Sequence, residues 1–117
     1  MPHLTIEISQ GVQVDETKLL SYLNQVLFAT GEFKESKDIK SRIHRTDTSL
    51  IGLGADDGVR FVSAHLAIMA GRSDKTKHEL VALVLKELQE VVALDNAQVQ
   101  YTVDLQELSP YYQKTIA

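Results

Sequence analysis

The 117 residues, 44% hydrophobic and 24% charged, suffice for one globular domain over 1–117 and fall short of two. The 12 basic and 16 acidic residues leave a formal charge of -4, so nothing global attracts nucleic acid or an anionic membrane, and any anion must be met by local cations. No apolar run reaches the roughly 20 residues of a bilayer span, no secretory leader pattern opens the chain, and without cysteine there is no disulfide framework or thiol nucleophile. A cytoplasmic protein held by packing is expected.

Leu4 to Ser9 reads L-T-I-E-I-S, with Leu4, Ile6 and Ile8 on one face, the period-two pattern of a first strand. From Asp15 the pattern becomes Leu19, Leu20, Leu23, Val26 and Leu27, one apolar stripe that predicts a helix from about 16 to 29. Asp15 suits its N-cap, Val14 and Leu19 suit a hydrophobic staple, and Gly31 suits a left-handed close. Ile39 to Thr48 follows as a strand, with Ile39 and Ile43 pointing one way and Lys40, Arg42 and His44 forming a cationic face on the other.

Leu50 to Leu53 reads as a further short strand, and Gly54 to Gly58 as a tight reversal. Val59 to Ala70 is almost continuously apolar, which suits a central strand covered on both sides, with His65 as a core histidine. Asp74 to Leu94 carries Leu80, Val81, Val84, Leu85, Leu88, Val91 and Val92, two adjacent rows of a second helix capped by Ser73. Val99, Tyr101, Val103 and Leu105 then alternate with polar residues as a last strand.

The order is strand, helix, strand, twice over. Two consecutive βαβ units predict an α/β (α+β two-layer) fold with a four-stranded mixed sheet and both helices on one face. The other face is then uncovered, and its apolar half is expected to be buried against copies of the chain.

Met1-Pro2-His3 leading into the first strand, Ala29-Thr30-Gly31, Ser41-Arg42-Ile43-His44 with Asp47-Thr48, and Ala70-Gly71-Arg72-Ser73 stand in an order and spacing that resembles the 5-carboxymethyl-2-hydroxymuconate Δ-isomerase family of the tautomerase superfamily. The resemblance runs from Pro2 to about Leu108. It implies a tautomerase-like fold, a homotrimer, no cofactor or metal, and catalysis by an N-terminal proline freed of its methionine, here Pro2, in microbial degradation of homoprotocatechuate. A terminal secondary amine has a pKa of roughly 7.7 to 8.0, which nearby cations or burial lower toward neutrality, so it can act as a general base. A retained Met1 would turn the same nitrogen into a non-basic amide.

The family's substrate-binding arginines fall on Arg72, which matches, and on Lys40, where the family has arginine and lysine offers no planar fork. Arg42, on the same strand face as Lys40, can share the anion-binding task. The four histidines show no metal-ligand spacing and read as structural or surface groups, and Ser109 to Tyr112 reads as a packing segment. The leading expectation is an isomerase of a small unsaturated keto or enol di- or tricarboxylate. Its rivals are a tautomerase of another 2-keto acid and a non-catalytic trimer that binds a ligand or a partner.

Overall fold

The computed structural model describes residues 1–54 and 58–117. Its elements are β1 (His3–Ile8), α1 (Glu16–Ala29), a 3-10 turn (Ser36–Asp38), β2 (Lys40–Arg45), β3 (Arg60–Ile68), α2 (Asp74–Val92) and β4 (Val99–Glu107). The sheet order is β2-β1-β3-β4: β1 pairs parallel with β2, β3 parallel with β4, and an antiparallel β1–β3 ladder joins the two units. This is the expected tautomerase-like mixed sheet with two helices. No described helix is long and apolar enough to cross a membrane.

Local chemistry sets the helix ends. The Asp15 carboxylate accepts from the Lys18 amide at 3.1 Å, and Ser73 Oγ accepts from the Thr76 amide at 3.2 Å, each satisfying an amide that has no intrahelical partner. Gly31, at φ 78°, closes α1 by donating to the Phe28 carbonyl. Leu19, Leu23 and Leu27 of α1 meet Leu80, Val84, Leu88 and Val92 of α2 over Leu4, Ile6, Ile8, Val62, Leu66 and Ile68 of the central strands. In α2 only the row Leu80, Val84, Leu88, Val92 is fully buried; Val81 and Leu85, one position on, stay half-exposed. Leu88 sits at the centre of this layer, fully buried. Leu88→Ala is expected to cost about 2–5 kcal/mol through lost contacts and the cavity left behind, read as a lowered urea midpoint at unchanged m-value.

Four expectations are corrected. β2 stops at Arg45 rather than Thr48, because β1 ends at Ile8 and the ladder closes with the Thr46 amide on the Ile8 carbonyl. Leu50 to Leu53 is a turn, not a strand: β3 already has a neighbour on each side, and Gly52 and Gly54 take positive φ. Of the reversal at Gly54 to Gly58, residues 55–57 lie outside the described residues. β3 is central, but within the subunit it is covered on one face only: Val62, Ala64, Leu66 and Ile68 are buried, while Phe61, Ser63 and Ala67 are half-exposed and His65 is exposed rather than in the core. The fourth concerns the face that the helices leave open. By register it carries His3, Thr5 and Glu7 from β1, Lys40, Arg42 and His44 from β2, Phe61, Ser63, His65 and Ala67 from β3, and Gln100, Thr102, Asp104 and Gln106 from β4, so it is mostly polar, and its apolar part is the half-exposed Phe61 and Ala67 rather than half the face.

Candidate active site

Because β1 and β2 run parallel, they begin at the same end of the sheet, with His3 opposite Lys40. β3 and β4 end there, with Ile68 opposite Glu107. The chain start, the 3-10 turn before β2, the Gly71-Arg72 entry to α2 and the tail after β4 therefore converge. Pro2 is buried at this end, and its carbonyl accepts from the Lys40 amide at 3.1 Å.

The terminal amine, on Met1, is lowered below the usual range of a terminal amine, first by burial and then by Lys40, Lys114 and Arg72, with Asp38 opposing them. Three of the four charges on this amine are cations. Lys40 Nζ donates to the Asp38 carbonyl at 3.2 Å, and Lys114 pairs with the Asp38 carboxylate at 3.2 Å; that hydrogen bond holds the carboxyl below its ordinary value. The polar cluster is thus a carboxylate framed by two lysines beside the chain start.

Arg72 is more committed. Its Nε donates to Glu32 Oε1 at 3.0 Å, Nη2 to the Glu32 carbonyl at 2.8 Å and Nη1 to the Met69 carbonyl at 3.4 Å, and the guanidinium lies 4.9 Å from the centre of the Phe33 ring. A guanidinium has five N–H donors, so two remain for another acceptor. Arg42 faces elsewhere: its Nη2 donates to His3 Nδ1 at 3.2 Å and its Nη1 lies 3.4 Å from Thr5 Oγ1, and it acts on His3 rather than on the amine. The structure therefore gathers Pro2, Lys40 and Arg72 at one end and sets Arg42 one step along the sheet.

Sequence reasoning missed Lys114, Asp38 and the linking part of His3, and it read the Ser109 to Tyr112 run as packing. Tyr112 instead returns over the chain start, its hydroxyl 3.0 Å from His3 Nε2 and 2.7 Å from Met1 Sδ. Among the described residues no group of three histidine, cysteine, aspartate or glutamate side chains could hold a metal ion. A cavity of about 300 Å³ lined by Ser9, Gln10 and Arg60 opens at the far end of β1, away from these groups.

His3 sits under Arg42, Lys40, the terminal amine and Lys114, with Tyr112 against its edge, and its pKa is lowered by burial first and then by those cations. Above the ordinary histidine value of about 6.5 the ring is neutral folded and unfolded, and contributes no pH dependence. As the pH falls below it, the unfolded chain takes up the proton first, so stability declines until the folded ring also protonates. Unfolding midpoints from pH 7.5 to 5 should fall accordingly in the wild type and fall less in His3→Gln.

A family model described as 5-carboxymethyl-2-hydroxymuconate isomerase matches residues 2–115. The chain belongs to this family. The likeness extends to solved structures. The crystal structure of a 5-carboxymethyl-2-hydroxymuconate isomerase from Deinococcus radiodurans R1 has a TM-score of 0.88 at 25% identity, over 98% of this chain and 90% of that one. A 5-carboxymethyl-2-hydroxymuconate delta-isomerase follows at 0.86 and 16% identity, over 100% and 89%. A fused 4-OT solved as a symmetric trimer shares the fold at 0.70 and 19% identity, over 97% and 93%. No curated protein matches. As a member of the 5-carboxymethyl-2-hydroxymuconate isomerase family, the protein is an isomerase.

Proposed function

We propose that the protein, freed of Met1 and assembled as a homotrimer, isomerises a small unsaturated keto or enol di- or tricarboxylate resembling 5-carboxymethyl-2-hydroxymuconate, with the Pro2 amine as general base and no cofactor. The observation that carries this reading is the depressed amine at the chain start, set among Lys40, Lys114 and Arg72. The Pro2 nitrogen, one residue on, would face the same groups once Met1 is removed. A neutral secondary amine takes a proton from the enol hydroxyl of the substrate, or from the carbon beside the conjugated carbonyl where the substrate is the keto form; either gives the same kind of dienolate, and the protonated amine returns the proton to carbon further along the conjugated chain. Atoms and charge balance within the substrate and Pro2.

Carboxylates of the substrate would be held by Arg72 through its two remaining N–H groups and by Lys40 as a point charge, with Arg42 supporting from the sheet face. Lys40 in place of the family's arginine supports the related reading in which the substrate is another 2-keto acid. The trimer rests on the fold shared with a neighbour solved as one. With an open face that is polar apart from Phe61 and Ala67, its contacts would be mainly hydrogen bonds and ion pairs around a small apolar patch.

The test is intact mass of the tag-free protein, followed on the same sample by an ultraviolet assay of enol-to-keto conversion and by size-exclusion chromatography with light scattering. Mass lacking one methionine, turnover and three-subunit particles are expected. A retained methionine together with turnover would sink the proline mechanism; a retained methionine without turnover would favour a binding protein.

A further inference from the structure

The ten residues after β4 are tied back in steps: the Leu108 amide donates to the Ile68 carbonyl at 2.7 Å, a turn places the Tyr112 amide on the Ser109 carbonyl at 3.1 Å, and the Tyr112 hydroxyl arrives at the chain start. There it is the end of a side-chain relay. Arg42 Nη2 lies 3.2 Å from His3 Nδ1, and His3 Nε2 lies 3.0 Å from Tyr112 Oη.

The direction of this relay follows from what each group is able to do. A guanidinium only donates, so His3 Nδ1 must accept, and in a neutral imidazole the hydrogen then sits on Nε2. That Nε2–H donates to the Tyr112 oxygen. The single phenolic proton is thereby left for a partner on the other side, which in the chain with Met1 is the thioether sulfur, 2.7 Å away. A phenol fixed as donor by a histidine, itself fixed by an arginine, is poorly explained as packing of a tail.

We infer that the Tyr112 hydroxyl is a catalytic hydrogen-bond donor to the oxygen on which negative charge develops during isomerisation, and that His3 is the residue positioning it. The inference rests on the proline reading: loss of Met1 removes the sulfur, and a substrate oxygen beside the Pro2 nitrogen takes its place. Lys40 and Arg72 meet carboxylates that are charged before and after the reaction. A neutral donor aimed at the carbonyl oxygen instead gains most when the dienolate forms, which lowers the barrier rather than the substrate's dissociation constant. Donation through the chain from the Arg42 cation polarises the phenol and strengthens its bond.

The experiment uses the processed full-length protein, with 5-carboxymethyl-2-hydroxymuconate as the substrate assayed. Tyr112→Phe keeps the ring and removes the hydroxyl; it should lower kcat on the order of 10²-fold, with KM within about twofold and the acid limb of the pH–rate profile unmoved. His3→Ala alone should lose a comparable factor, add little in the Tyr112→Phe background, and be largely rescued by His3→Gln, whose amide can donate in place of Nε2. Unfolding midpoints measured alongside show that the kinetic changes belong to folded protein. A wild-type kcat in Tyr112→Phe, a change confined to KM, or fully additive losses would overturn the role given to Tyr112. Activity that survives Pro2→Ala and a blocked terminus would instead overturn the proline reading on which it rests.

Discussion

Replacing Pro2 by alanine in the processed protein is expected to lower kcat by about 10²-fold without emptying the site of a base. Alanine also permits methionine removal and leaves a primary amine at the same place, so what is lost is the secondary amine and the ring that fixes its direction, within the 10²- to 10⁴-fold range of a positioned acid–base group. The fuller loss belongs to the blocked terminus. A chain extended by even one residue has an amide where the base should be, and its turnover should fall to background.

The pH dependence carries the sign. The amine must be neutral to accept a proton, so kcat/KM rises with pH through its pKa; burial, Lys40, Lys114 and Arg72 lower the Met1 amine against the opposing Asp38, and if the Pro2 amine meets the same groups that limb should lie below the roughly 7.7 to 8.0 of an unperturbed terminus. A limb at or above that range would contradict the electrostatic setting of the chain start.

Arg72→Ala is expected to raise KM about 10- to 100-fold, the cost of one charge-assisted contact to a carboxylate. It should also destabilise the fold modestly, because Arg72 holds Glu32 and covers Phe33. The two effects separate in Glu32→Gln. If the guanidinium serves only the fold, Glu32→Gln reproduces the stability loss and leaves KM alone. If it also serves substrate, loosening the Glu32 pair frees donors and KM falls. Arg72→Lys keeps the charge but loses the fork, and should recover only part of the affinity.

How far the sequence led depends on how local each decision was. α1, α2 and the alternation of β1 and β4 were legible because the apolar period and the caps at Asp15 and Ser73 are written in neighbouring residues. β3 misled because its small and aromatic residues, Phe61, Ala67 and the like, read as apolar even where they face away from the helices; composition along a strand does not say which side is covered. The end of β2 was set by its partner, since Ile8 closes the ladder, and nothing near Thr48 announces that.

The site divides the same way. Pro2, Lys40 and Arg72 were expected from motif order, and the structure brings them to one end of the sheet. Asp38, Lys114 and Tyr112 were not, because their meeting depends on parallel pairing carrying both ends of the chain to one edge of the sheet. The signal was present only as topology: a final strand parallel to β3 must end where β1 begins, and any tail longer than a few residues then lies over the chain start.

That convergence also fixes the order in which the protein comes together and comes apart. The His3–Tyr112 contact joins residues 109 positions apart, so its loop closes only after the sheet has brought its ends within reach. The tail that provides it is largely solvent-facing, with Tyr111 and Ile116 exposed, and shares little of the buried layer around Leu88. Such a segment opens by local fluctuation at a fraction of the free energy that holds the core. With Tyr112 in the role proposed for it, competence would be gained last in folding and surrendered first under mild denaturation, while the helices and sheet still stand.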